Sequence, residues 1–184
     1  FSTTTAWIFT ATPYIVFASI LTAGLLVPTF TSQMPMNFAG NIIALVYLLA
    51  VGTFFLILAG LDAGSVFGGM GSSREAIVAS LTEPAMMLAI FAIALTNGST
   101  NVSTIVHKTA LLEGIVTDPS PHLMALAALF IVALAETGRV PVDNPATHLE
   151  LTMIHEAMLL EYSGRYLALL EWAAGLKLAV FLSL

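Results

Sequence analysis

The chain reads as an all-α protein, a polytopic bundle of transmembrane helices, and three observations say so. Of its 184 residues, 58% are hydrophobic and only 9% charged, with a mean hydropathy of +0.96; a soluble domain carries about 25% charged residues. The apolar runs last about 20 residues, the length that crosses a hydrocarbon core as a helix. They lack the period-2 alternation of barrel strands, and backbone in lipid must be satisfied inside helices or a closed barrel.

About five spans follow, each bounded by Gly, Pro, Asn or Asp clusters. The first runs from Trp7 to Val27, with Pro13 near its start and Pro28 closing it. The second, Asn41 to Leu61, carries no charge. The third, Ile77 to Leu95, holds Glu83 before Pro84 in its first half, and the region from Asp62 to Glu75 reads as a loop. The fourth, His122 to Ala135, is short, so Glu136 is expected near its end. The fifth starts at Tyr166, contains Glu171 and continues past Lys177. Phe1 is not an initiator methionine and Leu184 lies in an apolar run, so residues 1–184 are expected to be one membrane domain, an internal portion of a longer subunit.

Several function classes drop out. Without cysteine there is no disulfide, thiol catalysis or iron-sulfur ligation by this chain. A net charge of −6 argues against nucleic acid, which needs a basic face. His148 and His155 are seven apart rather than at the i, i+4 spacing of a helical zinc pair, so no metal site is expected. No nucleophile elbow or phosphate loop is present. Gly60, Gly64 and Gly68 form a small-residue ladder, but Asp62 and Ser65 interrupt it, favouring a turn over a helix-dimer motif.

The densest polar stretch, Glu136 to Arg165, crowds acids, histidines and two arginines between apolar runs. Arg74, Arg139 and Arg165 fall on one side of the bundle and Lys108 on the other, so that side should be cytoplasmic. Within residues 138–164, Pro141 and Pro145 are expected to keep the backbone extended, and Thr147 with Glu150 makes a capping box that starts a short helix from His148 to Leu160. On such a helix Glu150 and Glu161 lie about 20° apart, as do His148 and His155, with Leu149, Met153, Ala157 and Leu160 on the apolar side. The charged face either lines a wet groove or is simply solvated.

Glu83 and Glu171 each sit several residues inside an apolar run, below headgroup level. Acids there are costly and usually face protein or water, where they serve as proton relays or as hydrogen-bonded packing groups. Glu171 and Lys177 are six apart and do not share a helix face, which argues against their pairing.

Arg139-x-Pro141-x-Asp143-x-Pro145, then Glu150, then Glu161-Tyr162-Ser163-Gly164, resembles the cytoplasmic loop of the respiratory-chain NADH dehydrogenase subunit 1 family. Gly60-Leu61-Asp62-x-Gly64-Ser65, Ser73-Arg74-Glu75 and Glu83-Pro84 resemble the branch found in membrane-bound [NiFe] hydrogenases and formate hydrogenlyases. The resemblance implies a multi-pass subunit of the prokaryotic cytoplasmic membrane. It would join a peripheral electron-transfer arm, with hydrogenase large and iron-sulfur subunits, to antiporter-like membrane subunits. The [NiFe] centre and iron-sulfur clusters would reside in those partners, and none in this chain. Carried over by motif, Glu83, Glu150 and Glu161 would belong to an acidic proton path, with Glu171 beside them, while Arg139, Asp143 and Arg74 would form the docking surface.

The loop departs from the family's quinone-binding pattern. Ala146 and His148 stand where carboxylates are usual, and the run between Glu150 and Glu161 is longer. Both count against quinone binding, and His148 and His155 are expected to replace acids as proton carriers, since imidazole titrates near neutral pH. A charge change on a partner's cluster would bias the proton affinity of nearby carboxyls such as Glu150 and Glu161. Two alternatives stay open: the quinone-site subunit of an NADH:quinone oxidoreductase, and a stand-alone ion or solute transporter, although the internal repeats common in transporters are not visible.

Overall fold

Along the long helices apolar residues face outward as well as inward, as in segments whose outer surface meets lipid; Tyr47, Phe54, Leu81, Leu88 and Trp172 are all exposed. A computed structural model describes residues 7–27, 42–101, 104–105, 107–108, 119–143 and 153–183. In chain order these include α1 (Trp7–Leu26), α2 (Ile42–Asp62), α3 (Val66–Asn97), α4 (Pro119–Glu136), α5 (Ile154–Leu159) and α6 (Arg165–Ser183). α1, α2, α3 and α6 are long and apolar enough to cross a membrane, and the apolar helix Ser120–Glu136 is shorter. The expected all-α bundle stands, as four such helices and a shorter one.

α1 packs on α2 and α6, α2 on α3, and α3 on both α4 and α5. One apolar cluster, built on Leu45, Leu49, Met86, Ile90 and Val180, fills the half of the bundle where α2 begins. A second, with Val16, Leu56, Met158, Tyr162 and Leu170, fills the half beneath α5. The starts of α1, α3 and α6 and the end of α2 gather around α5. Tyr162 stacks on Phe9 with ring centroids 4.1 Å apart and donates its hydroxyl to the Phe9 carbonyl at 2.9 Å.

Three expectations are corrected. The loop from Asp62 to Glu75 is mostly helix, because Ser65 caps α3 by accepting the Gly68 N–H at 3.1 Å and Gly64, at φ +64°, completes the turn. Glu83 consequently lies not near a helix end but about 25 Å along α3. Pro141 sits in a turn rather than an extended strand, with the Val142 N–H bonded to the Arg139 carbonyl at 2.9 Å. The helix expected from His148 is interrupted: Met153 is extended (φ −67°, ψ 144°) and caps an α5 that begins at Ile154. The face-sharing of Glu150 with Glu161 and of His148 with His155 was read from one helix continuous through Met153, and the backbone is not helical there. Leu160, expected on the apolar side, is exposed, whereas Met158 and Leu159 are buried. His148 and Glu150 themselves, with Thr147 and its capping box, lie outside the described residues.

The glycine ladder does two jobs. Gly64 makes the turn, and Gly60 and Gly68 let α2 and α3 meet backbone to backbone, since a Cβ on Gly68 would stand 2.9 Å from the Gly60 carbonyl oxygen. A Cβ on Gly71 would likewise reach the Ile154 carbonyl of α5 at 3.0 Å. Gly69, one residue from Gly68, faces open space. Gly68→Ala is expected to destabilise by about 1–3 kcal/mol through overpacking, while Gly69→Ala is neutral or stabilising by up to ~1 kcal/mol through helix propensity; unfolding of the two variants in micelles measures the contrast.

Candidate functional site: a charged cavity beneath the α5 segment

α4 ends in mid-bundle. Gly138, at φ +58°, receives the end of the helix as the Arg139 N–H bonds the Leu134 carbonyl at 2.9 Å and the Gly138 N–H bonds the Ala135 carbonyl at 3.2 Å. This paired pattern is a Schellman cap. It leaves Glu136 in the last turn, where the negative end of the helix dipole disfavours a carboxylate.

Cations and hydroxyls from other helices answer that cost. Lys177 of α6 donates to Glu136 Oε2 at 2.7 Å, and the Thr82 hydroxyl of α3 donates to Oε1 at 2.5 Å. Lys177 Nζ also lies 3.4 Å from Thr53 Oγ1 of α2. The pair is well buried, with side chains 13% (Lys177) and 5% (Glu136) exposed. Four helices thus converge on one ion pair at the middle of the bundle.

The pair opens into a cavity of about 310 Å³ whose polar wall includes Glu75, Thr137, Arg139, His155 and Glu171. Its apolar wall, with Val16, Leu49, Leu56 and Leu170, lies where the two hydrophobic clusters meet. Glu75 is seven residues before Thr82 on α3, roughly 10 Å nearer the α5 end. Glu75 feels the charges of Lys177, Glu136 and Asp143. The polar groups therefore step from the α5 surface toward mid-bundle.

The expected site residues are placed as follows. Glu171 is exposed on α6 and also borders the cavity. Glu83 is half-buried on α3, within electrostatic range of Glu136 and Lys177. Glu161 is half-buried just beyond α5 and does not line this cavity. Arg74 and Arg139 are exposed, Arg139 at the cavity's edge. Asp143, expected on the docking surface, is only 3% exposed: its carboxylate accepts the Ile154 N–H at 2.9 Å and so supplies the cap that Met153 lacks. Among the described residues no three His, Cys, Asp or Glu side chains converge to hold a metal.

Glu136, Lys177 and Glu75 are not among the site residues expected from the sequence. A lysine within an apolar run and an acid closing one were both available signals, because intramembrane ionisable residues mark functional sites by default.

His155 is held neutral. Burial, aided by the nearby Lys177 charge and opposed by Asp143, pushes its pKa down to about 4 from 6.5. Its Nε2 is buried and has no hydrogen-bond partner among the described residues. Because the unfolded chain binds this proton near pH 6.5 and the folded chain only near pH 4, the contribution of His155 to stability is complete above pH 6.5 and falls as pH drops toward 4. His155→Gln is expected to flatten that part of the stability-versus-pH curve measured by denaturant unfolding; identical slopes for the two proteins would contradict the burial of a neutral ring.

Residues 1–184 match the family described as NADH dehydrogenase. The chain is 36% identical over 182 residues to hydrogenase-4 component C of Escherichia coli (strain K12), covering 99% of this chain and 56% of that protein. It is 35% identical over 181 residues to formate hydrogenlyase subunit 4 of the same organism, covering 97% of this chain and 56% of the relative. An NADH-quinone oxidoreductase subunit of Rubrobacter xylanophilus is 26% identical over 176 residues, 95% of this chain and 51% of the relative. The chain thus spans about half the length of these relatives. The sequence resemblance carried by the Arg139 to Gly164 segment extends along the whole chain, which belongs to the NADH dehydrogenase subunit 1 family.

Proposed function

We propose that this chain is part of the membrane anchor and proton-coupling subunit of a membrane-bound [NiFe] hydrogenase or formate hydrogenlyase complex in a prokaryotic cytoplasmic membrane. One observation carries the reading: a buried Glu136–Lys177 ion pair at mid-bundle, joined by a charged cavity to the end of the bundle where α5 lies. Replacing a buried ion pair by apolar residues is often neutral or stabilising, so packing alone does not account for this one. Support for the type of complex comes from the higher identity to the hydrogenase-4 and formate hydrogenlyase relatives than to the NADH-quinone oxidoreductase relative.

In this reading the peripheral hydrogenase large and iron-sulfur subunits dock over the 138–164 segment, with Arg139 and Arg74 exposed toward them, and antiporter-like subunits flank the helices. Electrons reaching a partner's cluster change the charge above the cavity. A charge change within about 4–6 Å can move a carboxyl's proton affinity by 1–3 pKa units. Carboxyls on the cavity wall would then take up or release protons through the water-accessible space, with Glu83 beside Glu136 extending the track across α3. His155, neutral at pH 7, would relay protons by hydrogen bonding rather than by resting as imidazolium. Glu150, Glu161 and His148 remain candidates for the outer part of the path, and Glu171 for its cavity-facing edge.

Mass spectrometry of the gently solubilised complex tests the assignment. Copurifying [NiFe] hydrogenase subunits are expected; NADH-oxidising subunits with bound quinone would favour the quinone-site alternative, and the chain alone would favour a transporter. For the coupling role, Glu136→Gln is expected to lower proton uptake per turnover in vesicles while leaving assembly of the complex intact. Normal coupling in that variant would contradict it.

A further inference from the structure

The cavity holds more acid than its nearest cation can neutralise. Glu136 is fully engaged as a carboxylate, with Lys177 on one oxygen and Thr82 on the other. Glu75 faces the same cavity from α3 and makes no hydrogen bond or ion pair with the described residues. Asp143 is committed to the Ile154 N–H, His155 is neutral, Arg139 is exposed at the rim, and Glu171 adds another negative group on the α6 side. Glu75 and Glu136 line one cavity with Lys177, whose ammonium is already bound to Glu136, and a second carboxyl without a cation of its own favours keeping its proton.

We infer that Glu75 and Glu136 share the single positive charge of Lys177, so that the two carboxyls together hold one exchangeable proton, resident on Glu75 while Lys177 is bound to Glu136. Lys177 is the positioning residue: it lines the same cavity as both carboxyls, and its ammonium on a flexible four-carbon stem is the charge they share. When Glu75 ionises, its O–H bond breaks and the proton passes to cavity water with no change in electron count; the ammonium then neutralises Glu75, and the Glu136 carboxylate takes a proton back from that water, so the two carboxyls again hold one. His155, which also lines this cavity, has a buried Nε2 without a hydrogen-bond partner among the described residues. The inference rests on the proton-handling reading above and adds which carboxyl is loaded and what holds it loaded.

Infrared difference spectra between the wild-type complex and its variants test it. The protonated-carboxyl C=O band is expected to be lost in Glu75→Gln. It should be lost in Glu136→Gln as well, because Lys177 then turns to Glu75 and ionises it, whereas in Lys177→Met, with no cation, a second protonated-carboxyl band appears. A band that survives Glu75→Gln, or that is untouched by Glu136→Gln, overturns the sharing. Should Glu75→Gln not assemble, Glu75→Asp keeps the carboxyl and is expected to shift the band; an unshifted band overturns the assignment. Proton uptake measured on the same vesicles separates the two levels. Band loss with normal coupling in Glu75→Gln overturns the proton-handling reading and leaves the charge sharing intact, and a persisting band with lost coupling does the reverse.

Discussion

Everything at the centre of this bundle depends on one ion pair between helices whose surfaces are otherwise apolar. Glu136 terminates α4 where the helix dipole opposes its charge, and Lys177 interrupts an apolar helix where a lone ammonium would be expensive. Each makes the other tolerable at 2.7 Å, and Thr82 completes the carboxylate's bonds from a third helix. Breaking such a pair by removing one partner costs about 3–5 kcal/mol, yet keeping it brings little stability over an apolar replacement. In the proposed reading the Lys177 ammonium is the charge that decides which neighbouring carboxyl is ionised.

The rest of the fold brings that charge into contact with the α5 end. Because α4 stops in mid-bundle with its glycine cap, Glu136, Thr137 and Arg139 come to line the cavity. The close glycine contacts of α2 with α3, and of Gly71 with α5, draw α5 down over that space. Asp143 fixes the start of α5 from eleven residues upstream, and Tyr162 ties its far end to α1. Motifs that bear the family resemblance thus include structural fasteners: Asp143 is a helix cap and Tyr162 a stacked, hydrogen-bonded clamp. Arg74 and Arg139, by contrast, are exposed, where another surface can meet them.

The helices were legible because the length and composition of an apolar run are local properties. The boundary at Val66 was not, since it turns on Ser65 bonding the Gly68 N–H and on Gly64 accepting a positive φ, in a stretch whose polar residues resemble a loop. Glu83 was legible as an embedded acid but not its depth, for the same reason. The ion pair could not be read at all: its members are 41 residues apart on different helices, and helical spacing excludes Glu171 as the partner of Lys177 without naming Glu136. Reading residues 148–160 as one helix failed at Met153, where the extended backbone follows from tertiary capping by Asp143.

A high-resolution cryo-electron microscopy map of the intact complex in lipid nanodiscs tests most directly whether the ion pair anchors a hydrated track. Lys177 is expected to be bonded to Glu136 inside the protein, with ordered water running from that pair past Glu75 to the end of the bundle where α5 lies. A map with Glu136 and Lys177 apart, either turned toward acyl chains, or with the space between Glu75 and the pair dry and closed, would contradict that role.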